Sequence, residues 1–154
     1  MLMLFAAAAA VPACTGRDLS LSTDARNGDF NGMSHSGTYL VLRNRSRRAC
    51  QLPGLPTVTL RDAAGRVLPL SRRAPAGMHP GPVTRPVVVP VGGQVATGLR
   101  WVSGPVYDHS RKLNVRTAKI AIAGRTLTTP LRATIYAQAG QPASFDQPPL
   151  ETFR

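Results

Sequence analysis

The chain has 154 residues, 19 of them Lys or Arg against seven acids, for a formal net charge of +12 with the histidines neutral. Only 5% of residues are aromatic and one is tryptophan, so the basic surface lacks the rings on which bases stack, and nucleic-acid binding is disfavoured. Two cysteines without a Cys-x-x-Cys spacing give a thioredoxin-like redox role no support.

Residues 1–13 read as a signal peptide truncated at its start. Met1 to Phe5 and the five alanines after them form a short apolar stretch, and Val11-Pro12-Ala13 offers small residues before Cys14. The stretch is shorter than the about 20 residues a membrane-spanning helix needs. A mature chain from Cys14 suits one domain. Two cysteines in an exported chain most simply bridge, here Cys14 to Cys50. A lipid on Cys14 is the competing reading, and it excludes the bridge.

No stretch carries helical periodicity. Short apolar, β-branched runs recur between Gly and Pro, which predicts an all-β, antiparallel sandwich of eight or nine strands. In chain order, Leu19–Ser22 alternates as a first strand, and the polar Asp24–Ser36 stretch reads as a loop. Thr38–Asn44 alternates, with Leu40 and Leu42 on one face and Tyr39, Val41 and Arg43 on the other. Cys50–Pro56 reads as a proline-punctuated connection. Thr57–Leu60, a turn at Asp62–Gly65 and a strand at Val67–Leu70 follow, then a loop over Ser71–Pro82. Val83–Val91, broken by Pro86 and Pro90, reads as an edge strand or an extended crossing segment. Gln94–Val102 is a strand, Leu113–Ile122 and Arg125–Thr129 a hairpin, and Leu131–Ala137 the last strand. Residues 14–137 thus form the sandwich domain and 138–154 a Pro/Gln-rich C-terminal tail, with Phe145, Leu150 and Phe153 able to pin it. The alternation places Leu19, Leu21, Leu40, Leu42, Val58, Leu60, Val95, Leu99, Trp101, Ile120, Ile122 and Ile135 in the core.

Leu40-Val41-Leu42-Arg43-Asn44, Cys50-Gln51-Leu52-Pro53-Gly54-Leu55-Pro56 and the later Leu99-Arg100-Trp101 resemble a bacterial family of secreted or lipid-anchored domains without assigned function, the domain-of-unknown-function family 4232. The resemblance covers most of the chain from Cys14 and is most specific between Asn44 and Pro56. It implies an immunoglobulin-like sandwich outside the cytoplasm, bridged from Cys14 to Cys50, and no reaction. Members often carry a second cysteine pair in the C-terminal half, which this chain lacks.

Three groups of residues are candidate sites. Gly32-Met33-Ser34-His35 and Gly77-Met78-His79-Pro80 pair thioether with imidazole, ligands suited to copper, so convergence would give Met33, His35, Met78 and His79 as a ligand set. Asn27 to Gly32 matches the first half of a calcium loop, but Thr38 stands where a closing Glu is required, and an Asx-turn loop is the plainer reading. Arg45, Arg47 and Arg48 lie between a strand and Cys50, where a pinned loop could grip phosphate or carboxylate groups. Asp108-His109-Ser110 holds three triad residue types as chain neighbours, and neighbours in a turn do not build a triad. The expected protein is therefore a non-enzymatic binding or structural module of the cell envelope, periplasmic or secreted, with no cofactor. It would face another envelope protein or an anionic envelope surface. The alternative is a small copper-binding periplasmic protein.

Overall fold

Leu40 and Leu42 point to one side of their strand and are fully buried, while Arg43 between Leu42 and Asn44 is exposed. The same two-residue period sorts most of the chain into strands with one apolar face. The computed structural model describes residues 10–73 and 84–154. Eleven strands are present there: β1 Leu19–Asp24, β2 His35–Asn44, β3 Cys50–Leu52, β4 Val58–Arg61, β5 Leu70–Arg73, β6 Val87–Val89, β7 Gln94–Val102, β8 Ser110–Ile122, β9 Arg125–Gln138, β10 Ala143–Asp146 and β11 Glu151–Thr152. A single 3-10 turn spans Arg26–Gly28.

The large sheet runs β1-β2-β7-β10-β5, with β11 also paired to β7. A three-stranded sheet, β4-β8-β9, packs across it, and β3 pairs with β6 alone. The two larger sheets share one core. Leu40, Leu42, Val95 and Leu99 come from one, and Leu60, Val115, Ile120 and Ile135 from the other. Each such side chain contributes about 1.5–3 kcal/mol through burial. Of the twelve residues expected in the core, all are buried except Leu21, which is half-buried and packs against it. All ladders are antiparallel except β10–β5, which is parallel.

Several boundaries differ from expectation. Cys50–Leu52 is not connection but strand β3, antiparallel to Val87–Val89; that pairing also makes the proline-flanked 87–89 stretch a strand with one neighbour. Val67 makes only an isolated bridge to Arg61, and the next strand begins at Leu70 and takes in Ser71–Arg73. The expected break at Pro130 is absent, and β9 runs through it. The β8–β9 register shifts by one between Val115 and Thr117, opposite Pro130, so the ladder is interrupted where proline has no N–H to give. The shift also changes the inward residues of β8 from Leu113 and Val115 to Ala118, Ile120 and Ile122.

The composition break at Gln138 is not a break in the sheet. Residues 143–146 pair with Leu70–Arg73 and touch β7 at Arg100, and Glu151 and Thr152 pair with Ala96 and Val95. Phe145 and Leu150 are buried, and Leu150 N–H donates to the Gly54 carbonyl at 2.7 Å. Cys14 and Cys50 are bonded and buried, with Cα atoms 4.8 Å apart. Cys14 sulfur is therefore engaged, and a lipid on it would require the bridge to be absent. Ala13 forms a parallel bridge with Gln51.

Candidate functional site

Asn44 ends β2 on the inward parity of Leu40 and Leu42 and is fully buried. A buried amide must satisfy its polar atoms, and this one does so by holding the next loop. Asn44 Nδ2 donates to the Arg48 carbonyl at 2.9 Å and to the Val89 carbonyl at 3.0 Å. Its Oδ1 accepts from Ser46 N–H at 2.9 Å and from the Ser46 hydroxyl at 2.7 Å. Arg45 N–H donates to the Asp18 carbonyl at 2.7 Å. The loop is thus tied at three of its four residues, and Arg45, Arg47 and Arg48 are exposed.

Other arginines share this end. Gly16 N–H donates to the Ala123 carbonyl, which brings Arg17 to the β8–β9 turn beside Arg125; both are exposed. Gly124 makes that turn with φ of +78°, a conformation glycine adopts without strain. None of these five arginines forms an ion pair among the described residues. The acid that touches the loops, Asp18, accepts from Thr15 N–H at 2.8 Å and from the Thr15 hydroxyl at 3.0 Å. The Thr15 N–H is the main cause holding its carboxyl below the ordinary 3.8; burial opposes this, and the Thr15 hydroxyl and the Arg48 charge add to it. Asp18 is spent on shaping its own turn, so this end keeps a surplus of positive charge.

Of the expected copper ligands, Met33 and His35 lie in the structure, while Met78 and His79 fall outside the described residues. Gly32 and His35 exchange backbone hydrogen bonds across Met33 and Ser34, whose φ values are +49° and +62°. This is the geometry of a type I′ hairpin turn. Met33 is 93% exposed. His35 Nδ1 donates to the Met33 carbonyl at 2.8 Å. Among the described residues no three His, Cys, Asp or Glu side chains gather as a metal-holding group. The calcium reading fails at its closing position, because Thr38 is buried in β2 and its hydroxyl donates to the Tyr39 carbonyl at 3.2 Å. Asp108 and His109 are exposed, and the Ser110 hydroxyl donates to the Tyr107 carbonyl, so those neighbours form a turn.

Two depressions were not legible as sites in the sequence. On the outer face of β2 and β7, Phe30 lies over Gly37 and Gly98, where a Cβ would come within 2.9 Å of its ring. Phe30 packs edge to face on Tyr39 with centroids 4.9 Å apart, Phe153 lies tilted against Tyr39 at 5.1 Å, and Arg26 sits 4.2 Å above Phe153. They line a groove of about 580 Å³ with Asp29 and Glu151 on its walls. At the far end from the arginine loop, a notch of about 450 Å³ opens between β7 and β10, lined by His35, Arg73, Arg100, Trp101, Tyr107 and Tyr136 among others. Both gather residues distant in sequence, which no local pattern announces.

A family profile described as Domain of unknown function (DUF4232) matches residues 14–152. No curated protein matches the chain, and no solved structure does.

Proposed function

The chain belongs to the DUF4232 family, and we propose that it is a non-enzymatic, exported binding module that meets an anionic surface of the bacterial cell envelope with its arginine end. One observation carries the reading: the Arg45–Arg48 loop is held by a buried Asn44 and presents arginines that form no ion pair among the described residues. A loop already ordered loses little entropy on binding. Each basic residue near an anionic leaflet is worth about 1 kcal/mol, within a Debye length of about 8 Å at physiological salt. Residues 10–14 enter the fold at the same end, because Cys14 is bonded to Cys50. An apolar leader joined upstream would hold these arginines toward the membrane. The disulfide fits a periplasmic or secreted location, where such bonds persist.

The test is co-sedimentation with phosphatidylglycerol and phosphatidylcholine vesicles. The native protein should bind only the former, more weakly as salt rises. The triple variant Arg45→Gln, Arg47→Gln, Arg48→Gln should lose on the order of 100-fold in affinity. Equal binding by the variant would remove the loop from the function.

Copper binding through Met33, His35, Met78 and His79 is a second reading, supported by a fully projecting Met33 two residues from His35. Cu(I) titration separates it: binding must be lost in the double variant His35→Ala, His79→Ala.

A further inference from the structure

The outer face of the large sheet carries a short row of charges across three strands. Arg73 on β5 is the Cα partner of Asp146 on β10, and Asp146 is the Cα partner of Arg100 on β7. The single carboxylate pairs with Arg73, at 3.0 Å from its Nε. The Arg100 side chain, only half exposed, has no hydrogen-bond or ion-pair partner among the described residues. Two guanidinium groups therefore share one acid, and the unmatched one is partly withdrawn from water, where an ionised partner is worth most.

Asp146–Arg100 is the only Cα pairing between β7 and β10, and the notch opens where the two strands part. Trp101 and Val102 line it from β7, and Tyr136 and Pro142 from β9 and the turn after it. Tyr107, Tyr136 and Ser144, whose side chains carry hydroxyl groups, also line it. More cations stand near: Arg111 donates to the Gln141 carbonyl at 2.7 Å, and Lys112 Nζ lies 5.7 Å from the Tyr136 ring. The volume, about 450 Å³, falls within the 300–1,000 Å³ of small-molecule sites.

We propose that this notch binds a small organic anion, with one carboxylate or phosphate group seated on Arg100 and an apolar body against Trp101, Val102 and Pro142. The site is separate from the arginine loop. Gly37, the β2 partner of Arg100, is seven residues from Asn44, roughly 23 Å along an extended strand.

Trp101 is the only tryptophan and lines the notch, so its emission responds to binding there. The experiment titrates the full chain with benzoate, phenyl phosphate and inorganic phosphate, following Trp101 emission and heat. At least one organic anion should bind saturably in both readouts, and the choice between benzoate and phenyl phosphate identifies the acid group. Inorganic phosphate should bind at least about tenfold more weakly than the better organic probe, because it lacks the apolar body. Arg100→Gln should weaken binding at least about tenfold, and the triple arginine-loop variant should leave it unchanged. Should Arg100→Gln not fold, Arg100→Lys serves in its place, since it keeps the charge and loses the two-pronged donor. The proposal fails if neither organic anion saturates, if inorganic phosphate binds as well as both, if the folded Arg100 variant binds like the native chain, or if the loop variant loses binding too.

Discussion

Asn44 uses both ends of its amide, and the partners it holds are backbone groups of its own loop and of β6. Replacing it with alanine takes this donor from the buried Val89 carbonyl, while the Arg48 carbonyl keeps the Ser46 hydroxyl. Asn44→Ala should cost about 1–3 kcal/mol in urea denaturation, and it should loosen the arginine loop without removing any charge. Its parity with Leu40 and Leu42 was legible in the sequence: a polar residue on the inward side of an alternating strand is a buried polar residue. What it binds was not, because Val89 lies 45 positions away.

Asp18 gives a second prediction at this scale. Its carboxyl is held below the ordinary 3.8 by the Thr15 N–H first, then the Thr15 hydroxyl and Arg48, against the opposing effect of burial. The folded chain therefore keeps this site ionised to lower pH than the unfolded chain does. The stabilisation is present above the ordinary value and is lost as pH falls through the lowered one. Asp18→Asn should melt below the native protein at pH 7, and the gap should close as pH is brought down past 3.8. A gap that is constant with pH would mean that the ionised carboxylate is not the source.

Among the elements, the strands with clean alternation were legible from their residues, β2 and β7 above all. The errors cluster at prolines. Pro130 reads as a strand break, yet β9 passes through it because the register shift takes up the missing N–H. Pro148 and Pro149 make residues 138–154 read as a tail, yet they only separate β10 from β11. The Pro148 carbonyl accepts from the Thr97 hydroxyl at 2.7 Å, and Gln147 Nε2 donates to the Pro56 carbonyl at 2.8 Å. Local composition gave no account of these long-range partners. If the last strands are part of the core, Leu150→Ala should cost about 2–5 kcal/mol, whereas Thr152→Ser, at an exposed position, should stay within about 0.5 kcal/mol. Thermal or chemical melts of the two variants decide it; equal, small effects would show a segment that merely rests on the sheet.

The Cys50–Pro56 motif also takes its meaning at this level. Cys50 bonds Cys14, Leu52 is buried, a Cβ on Gly54 would strike the Arg85 backbone, and the Gly54 and Pro56 carbonyls hold the segment between β10 and β11 through Leu150 and Gln147. The residues that carry the family resemblance are thus those that join the two halves of the fold.

For the whole molecule, charge was legible as a total and not as a pattern. Nineteen basic residues against seven acids gave no sign of which arginines the fold would gather. The fold brings Arg17 and Arg125 to the Arg45–Arg48 loop from opposite ends of the chain, and pins that end with the disulfide. Replacing both Cys14 and Cys50 with serine should cost up to about 4 kcal/mol, the loop-closure value for a separation of 36 residues. The variant's denaturation midpoint measures it.

An arginine end that faces an anionic surface would fix the orientation of the whole molecule on a membrane. Spin labels placed singly at Arg47→Cys and Ala139→Cys, at opposite ends of the fold, measure that orientation on phosphatidylglycerol vesicles carrying a headgroup-bound relaxation agent. Strong relaxation enhancement is expected at residue 47 and none at residue 139. Equal enhancement at both, or enhancement at residue 139 alone, would contradict it.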